Sequence, residues 1–177
     1  MKVLLLLTHP TSTAFNQQMA QVGVERLTAL GHDVTLADLY AEGFDPAQAT
    51  PAAIAQERDR LAEHDLLLCQ FPLWWFRPPA MLIGWFEQVL PDAPLYAGKR
   101  VLFSATAGGS PSTYKASGVS QEPRELFQPL LEALERSGFL ALPSFVAWGM
   151  LKAGEADRCQ HREALGVHIE EWVRQGD

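Results

Sequence analysis

The chain has 177 residues, 47% apolar and 20% charged, with a formal net charge of −7. That balance fits a single globular domain spanning 1–177 that needs neither disulfides nor metal to bury a core. The acidity excludes a nucleic-acid partner, because no basic stripe is present to neutralise phosphates. It also means that an anionic cofactor must be held by local dipoles, not by the overall field.

The first apolar run, 3–8, reads as a central parallel strand covered on both faces. Phe15, Met19, Val22, Leu27 and Leu30 then fall near helical spacing, with Thr13 as N-cap and Gly31 as the residue past the end. Residues 33–38 alternate and predict a second strand. A loop over 40–50 and a helix over 51–63 follow, with Pro51 in the first turn. Residues 66–71 predict a third strand, and Pro78 or Pro79 opens a helix carrying Trp85, Phe86 and Val89. A fourth strand is expected at 101–105. A helix over 125–137 must start late or kink at Pro129. A fifth strand at 140–148 and a last helix over 155–175 complete the pattern.

Five strands alternating with five helices predict a doubly wound parallel α/β sheet. Ligands in such sheets bind beyond the carboxyl ends of the strands, so the loops after each strand are the informative ones. The run 3–7 is too short for a secretory segment, which needs roughly 7–15 apolar residues. No stretch reaches the roughly 18 apolar residues of a membrane helix. Cys69 and Cys159 form no CxxC and imply no disulfide. A cytoplasmic protein is the expectation. Cys159, His161 and His168 lack the spacing of compact metal ligands on one helix face, so no metal is expected. His32 and His64 read as surface residues.

Three loops carry chemistry. Residues 8–16 (THPTSTAFN) offer hydroxyls, an imidazole and a helix start, which together make an anion site. Neither a P-loop nor a GxGxxG is present. After the third strand, Trp74, Trp75 and Phe76 stand between prolines and cannot all face one core, so some line a site or a partner. After the fourth strand, Gly108 and Gly109 let backbone N–H groups approach a ligand. Phosphate donors, aromatic walls and a glycine-rich backbone together suit a flat, phosphate-bearing, redox-active ring.

The stretch FPLWWFRPPAMLIGWFEQVL (71–90), the opening H-P-x-x-x-x-F-N and the turn T-x-G-G resemble the flavodoxin-like NAD(P)H:quinone oxidoreductases. The resemblance implies a three-layer, five-stranded sheet of order 2-1-3-4-5. It implies FAD or FMN as cofactor, NAD(P)H as co-substrate, a quinone as acceptor and a homodimer. His9, Thr13, Phe15 and Asn16 match the family's flavin phosphate loop. Pro72, Leu73, Trp75 and Phe76 match the wall beside the isoalloxazine. Thr106, Gly108 and Gly109 match the turn at its pyrimidine edge, and Tyr114 matches a tyrosine that hydrogen-bonds near the ring.

The resemblance further implies two-electron, ping-pong hydride transfer. The amides of Gly108 and Gly109, with the Tyr114 hydroxyl, would stabilise the negative charge that develops at the ring. Azo or nitro compounds are alternative acceptors. A regulatory subunit docked on a potassium antiporter and a flavodoxin-type one-electron carrier are the rival roles. Ala14 and Ala107 replace a Ser and a Thr common in relatives, and Ser120 stands where the animal enzymes carry a His six residues after the Tyr.

Overall fold

A computed structural model of the protein describes residues 1–90 and 93–174. Its strands are β1 (Lys2–Leu7), β2 (Asp33–Asp38), β3 (Leu66–Leu73), β4 (Arg100–Ala107), β5 (Leu140–Ala141) and β6 (Phe145–Ala147). Its helices are α1 (Phe15–Ala29), α2 (Pro51–Ala62), α3 (Ala80–Val89), α4 (Pro111–Ala116), α5 (Pro123–Arg136) and α6 (Glu155–Arg174). Position 175, the expected end of the last helix, lies outside the described residues.

All strand pairs are parallel and run in the order β2-β1-β3-β4-β5, with β6 also paired to β4. This is the order the resemblance implies. The single expected fifth strand is divided. Arg100 pairs with Leu140, whereas Ser104 pairs with Phe145, so one extra residue is taken up between the two pieces. Pro143 falls in that interval. It has no N–H to offer β4, and the strand bulges there.

The continuous apolar strands are covered on both faces, as parallel sheets require. On one face α2, α3 and α5 cover Leu4, Leu6, Phe71, Trp85, Phe103 and Phe127. Phe71, Phe103 and Phe127 meet pairwise edge to face with ring centroids 5.6 Å apart. On the other face α1 and α6 cover Leu5, Leu7, Met19, Leu27, Leu68 and Ile169. Gly23 lets α1 settle on the sheet, since a Cβ there would lie 2.8 Å from Leu5 Cδ1.

Several expectations are corrected. The helix α1 is capped by Ala14, not Thr13, and no side chain caps it. Pro129 neither delays α5 nor ends it. The helix begins at Pro123 and runs through Pro129, because Phe127, Leu131 and Leu134 bury one stripe that outweighs the single lost donor. His64 is buried, 7% exposed, with Nδ1 on the Arg60 carbonyl and Nε2 on Thr35 Oγ1. The short helix α4 falls in a stretch that reads as loop. Its Ser110 cap, which accepts from the Thr113 N–H, and Pro111 in the first turn were visible signs of it.

Gly138, which follows α5, has φ +102°, and a Cβ there would sit 2.7 Å from the Ala97 backbone nitrogen. Both the conformation and the space demand glycine. Gly138→Ala is expected to destabilise the fold by about 2 kcal/mol, measured as a lowered denaturation midpoint with unchanged slope.

Candidate functional site: the carboxyl ends of strands β1, β3 and β4

Strand β1 ends where the Thr8 N–H donates to the Gln70 carbonyl at 2.9 Å. His9 follows. Its Nδ1 accepts from the Thr11 N–H at 3.0 Å, so the ring proton resides on Nε2. Burial lowers the His9 pKa, and the Thr11 hydrogen bond and the charge of Asp38 oppose this only in part. At neutral pH His9 is therefore an uncharged donor. The chain then turns through the Ala14 N–H to the Thr11 carbonyl (3.1 Å) and enters α1. The helix has no side-chain cap and no acid in its first turn. Its free N–H groups and positive dipole end remain available, with the exposed hydroxyls of Thr11, Ser12 and Thr13 beside them.

Two residues expected in this loop face elsewhere. Phe15 is 9% exposed and packs in the α1–α6 core, with the Arg158 guanidinium 5.6 Å over its ring. Only its backbone belongs to the loop. Asn16, 4% exposed, turns inward to the sheet. Its Nδ2 donates to Thr106 Oγ1 at 2.9 Å, and its Oδ1 accepts from Gln70 Nε2 at 2.8 Å. It thus ties the start of α1 to the ends of β3 and β4.

Beyond β3 the backbone reverses in two residues. Trp74 and Arg77 exchange N–H to carbonyl hydrogen bonds of 2.8 and 3.0 Å. Trp75 and Phe76 sit between them at φ 49° and 66°, the left-handed region. That geometry normally takes Asn or Gly and costs on the order of 1–2 kcal/mol per residue here. The strained turn sets two rings against neighbours. Trp74 meets His9 edge-on at 5.7 Å, and Phe76 meets Tyr114 at 4.7 Å. Trp75 is 91% exposed. Pro72 and Leu73 lie within β3 itself and are buried.

Beyond β4, the carbonyls of Ala107, Gly108 and Gly109 accept from the N–H groups of Met150, Leu151 and Gly149. No turn or loop carbonyl among the described residues accepts from the N–H groups of Gly108 and Gly109. Gly108 has no positive φ, and a Cβ there would meet only Leu151 Cβ, at 3.7 Å. The fold does not require glycine at 108, so the open space above it is a place for a ligand to approach. Gly109 differs, since a Cβ there would press on Thr113 at 3.2 Å. Tyr114 is 3% exposed between Phe76 and Trp148, edge-on to the latter at 4.8 Å. Burial raises its pKa, so the phenol keeps its proton at neutral pH. Ser120 donates to Glu125 Oε2 at 2.7 Å and accepts from the Glu122 N–H. It shapes the entry to α5 and shares a cavity of about 360 Å³ with Phe76.

The strand ends thus bring together His9, the loop hydroxyls, Trp75, Phe76, Thr106, the two glycines and Tyr114. An uncapped helix start, glycine backbone at 108 where a Cβ would have room, and an aromatic wall fit the phosphate, pyrimidine edge and tricyclic face of a flavin. Sequence reasoning missed Gln70, Trp148 and Arg158. Gln70 is a lone polar residue inside the wholly buried β3, which was a usable signal. Trp148 follows β6, whereas the sequence pattern places it inside the fifth strand.

A family model described as Flavodoxin-like fold matches residues 1–169. The chain belongs to that flavodoxin-like family. A guinea pig (Cavia porcellus) relative named NAD(P)H dehydrogenase [quinone] 1 is 31% identical over 189 residues, covering 84% of this chain and 69% of its own. A Klebsiella pneumoniae structure assigned as a quinone reductase has TM-score 0.84 at 25% identity, over 96% of this chain and 84% of its own. The general stress protein 14 of Treponema denticola, solved with FMN, shares the fold at TM-score 0.73 and 21% identity over the whole of both chains.

The left-handed turn yields a test. Trp75→Gly relieves strain and removes little packing, so the protein without cofactor should gain about 1 kcal/mol in stability. If Trp75 lines the site, the same variant should lose flavin or quinone affinity by titration.

Proposed function

We propose that this chain is a flavin-dependent NAD(P)H:quinone oxidoreductase whose site lies across the ends of β1, β3 and β4. The observation that carries this reading is Gly108: a glycine the fold does not need, at the carboxyl end of β4, beside a strained aromatic turn and an uncapped helix start. The guinea pig relative's named activity and the FMN held by the Treponema protein on the same fold support it.

In this reading the start of α1 and the neutral His9 hold the cofactor phosphate. Anion binding at a helix start is worth up to about 2 kcal/mol in partly buried geometry, which offsets the unfavourable field of an acidic chain. Either FMN or FAD satisfies this loop. A bound flavin would supply two-electron chemistry, with NAD(P)H as the hydride donor and a quinone as the acceptor. Trp75 and Phe76 wall the space where donor and acceptor alternate. The backbone of Gly108 and Gly109 and the Tyr114 hydroxyl would stabilise negative charge developing on the ring, each such donor worth about 3 kcal/mol when water is excluded. Tyr114 acts as a hydrogen-bond donor, since burial holds its proton. Ser120 supplies no relay, because its proton is committed to Glu125.

A homodimer suits this reading, because a second copy would cover Trp75 and Leu151, which stand 91% and 83% exposed beside the site. A cytoplasmic setting is consistent with the free thiol of Cys69, and no helix among the described residues is long and apolar enough to cross a membrane.

The decisive variant is Gly108→Val. It should leave the melting temperature of the cofactor-free protein within a few degrees and abolish flavin binding, read by loss of visible absorbance; retained flavin would remove the ring from this cradle. Tyr114→Phe should keep flavin bound and slow quinone turnover by roughly 10²-fold, the scale of a lost donor to a developing anion. Stopped-flow rates for the two half-reactions would show which one slows.

A further inference from the structure

We propose that Asn16 and Gln70 are positioning residues that fix the direction in which Thr106 presents its hydroxyl proton, and thereby tune the redox balance of the bound flavin. This rests on the site reading above, with the ring over the end of β4.

The three side chains form one directed chain. Gln70 Nε2 donates to Asn16 Oδ1 at 2.8 Å, and Asn16 Nδ2 donates to Thr106 Oγ1 at 2.9 Å. A hydroxyl has one proton and two lone pairs. With the amide of Asn16 occupying the inward lone pair, the Thr106 proton is turned away from the core, towards the strand end. Both amide dipoles point the same way along the chain, and successive hydrogen bonds in a low-dielectric interior polarise one another. Thr106 is therefore a reinforced donor, one residue before Ala107 and two before the Gly108 cradle.

Stability alone does not explain the chain. Gln70, Asn16 and Thr106 are 0%, 4% and 6% exposed, on the sheet face where β1, β3 and α1 otherwise bury Leu5, Leu68 and Met19. At its inner end Gln70 Oε1 and Ser104 Oγ are both buried without a partner. These two residues are cross-strand neighbours in register. A buried polar chain left open at one end is more costly than an apolar core. At its outer end the Thr106 hydroxyl accepts from Asn16 and donates to none of the described residues, and that end meets the site.

The direction of the chain predicts its effect. A donor that points outward favours the flavin when its pyrimidine edge carries added negative charge. Removing the Thr106 hydroxyl should lower the preference for the reduced over the oxidised cofactor about tenfold, which for two electrons is a midpoint potential about 30 mV more negative. Asn16 acts only through that hydroxyl.

The test is a double-mutant cycle on the midpoint potential of the bound flavin, with Thr106→Val, Asn16→Leu and both together. Melting of each cofactor-free variant monitors the fold. Asn16→Leu should lower the potential in the parent by most of the Thr106→Val shift and leave it unchanged in the Thr106→Val background. Additive shifts, or no shift from Asn16→Leu in the parent, would overturn the proposal and leave Asn16 a brace for the loop. No shift from Thr106→Val, with flavin still bound, would instead show that the ring does not sit over β4. Should Asn16→Leu not fold, Asn16→Ser, whose side chain is too short to reach Thr106, carries the same expectation. Thr106→Ser, which keeps the hydroxyl, should restore the parent potential.

Discussion

Everything at this site depends on how three parallel strands end together. Strands β1, β3 and β4 are neighbours, and their carboxyl ends would splay into unrelated loops unless something tied them. The tie is local and buried. The Thr8 N–H reaches the Gln70 carbonyl, the Gln70 side chain reaches Asn16, and Asn16 reaches Thr106. One amide residue at the start of α1 thus registers a helix against two strands. Each element of the cradle is placed relative to this knot, including the glycine amides above β4 and the turn beyond β3.

Two kinds of residue surround it, and they behave differently. The leucines and phenylalanines of the two cores set the sheet and its covering helices through apolar burial, which is insensitive to detail. The turn of Trp75 and Phe76 works against local preference, holding two large side chains in a conformation suited to Asn or Gly. Such strain persists only where the surroundings over-determine it. Here reciprocal hydrogen bonds between Trp74 and Arg77 and the packing of Phe76 on Tyr114 do so. Phe76 is consequently presented as a fixed wall, while the Trp75 backbone is fixed and its ring stands in the open.

The order and type of the elements were legible because parallel strands leave long apolar runs, and because each helix keeps one apolar stripe. The second strand was read to the residue. The ends of β3 and β4 ran two residues further than their apolar runs, since pairing continues through Pro72–Leu73 and Thr106–Ala107 where sequence hydrophobicity gives no sign. The break at Pro143 was missed because an apolar run reads as one strand even where a proline interrupts its ladder. At the site, the loops were found by their place after strands, and the glycine pair by its freedom. The inward turn of Asn16 was not legible: the same residue caps, binds phosphate or bridges strands depending on a partner 90 residues away. Thr13 misled for a related reason. Its side chain is a good cap in general, but the turn from Thr11 to Ala14 places the helix start one residue later.

The bulge at Pro143 has an effect away from the cofactor. An outermost strand offers a row of unpaired amides on which a foreign chain can template itself and grow into fibres. Here that margin consists of two fragments, two and three residues long, offset by one residue and joined through a proline. The opposite margin, β2, begins and ends in aspartates, Asp33 and Asp38, whose like charges resist stacking of identical copies. A sheet with long leucine runs at its centre thus carries borders that discourage self-propagating assembly.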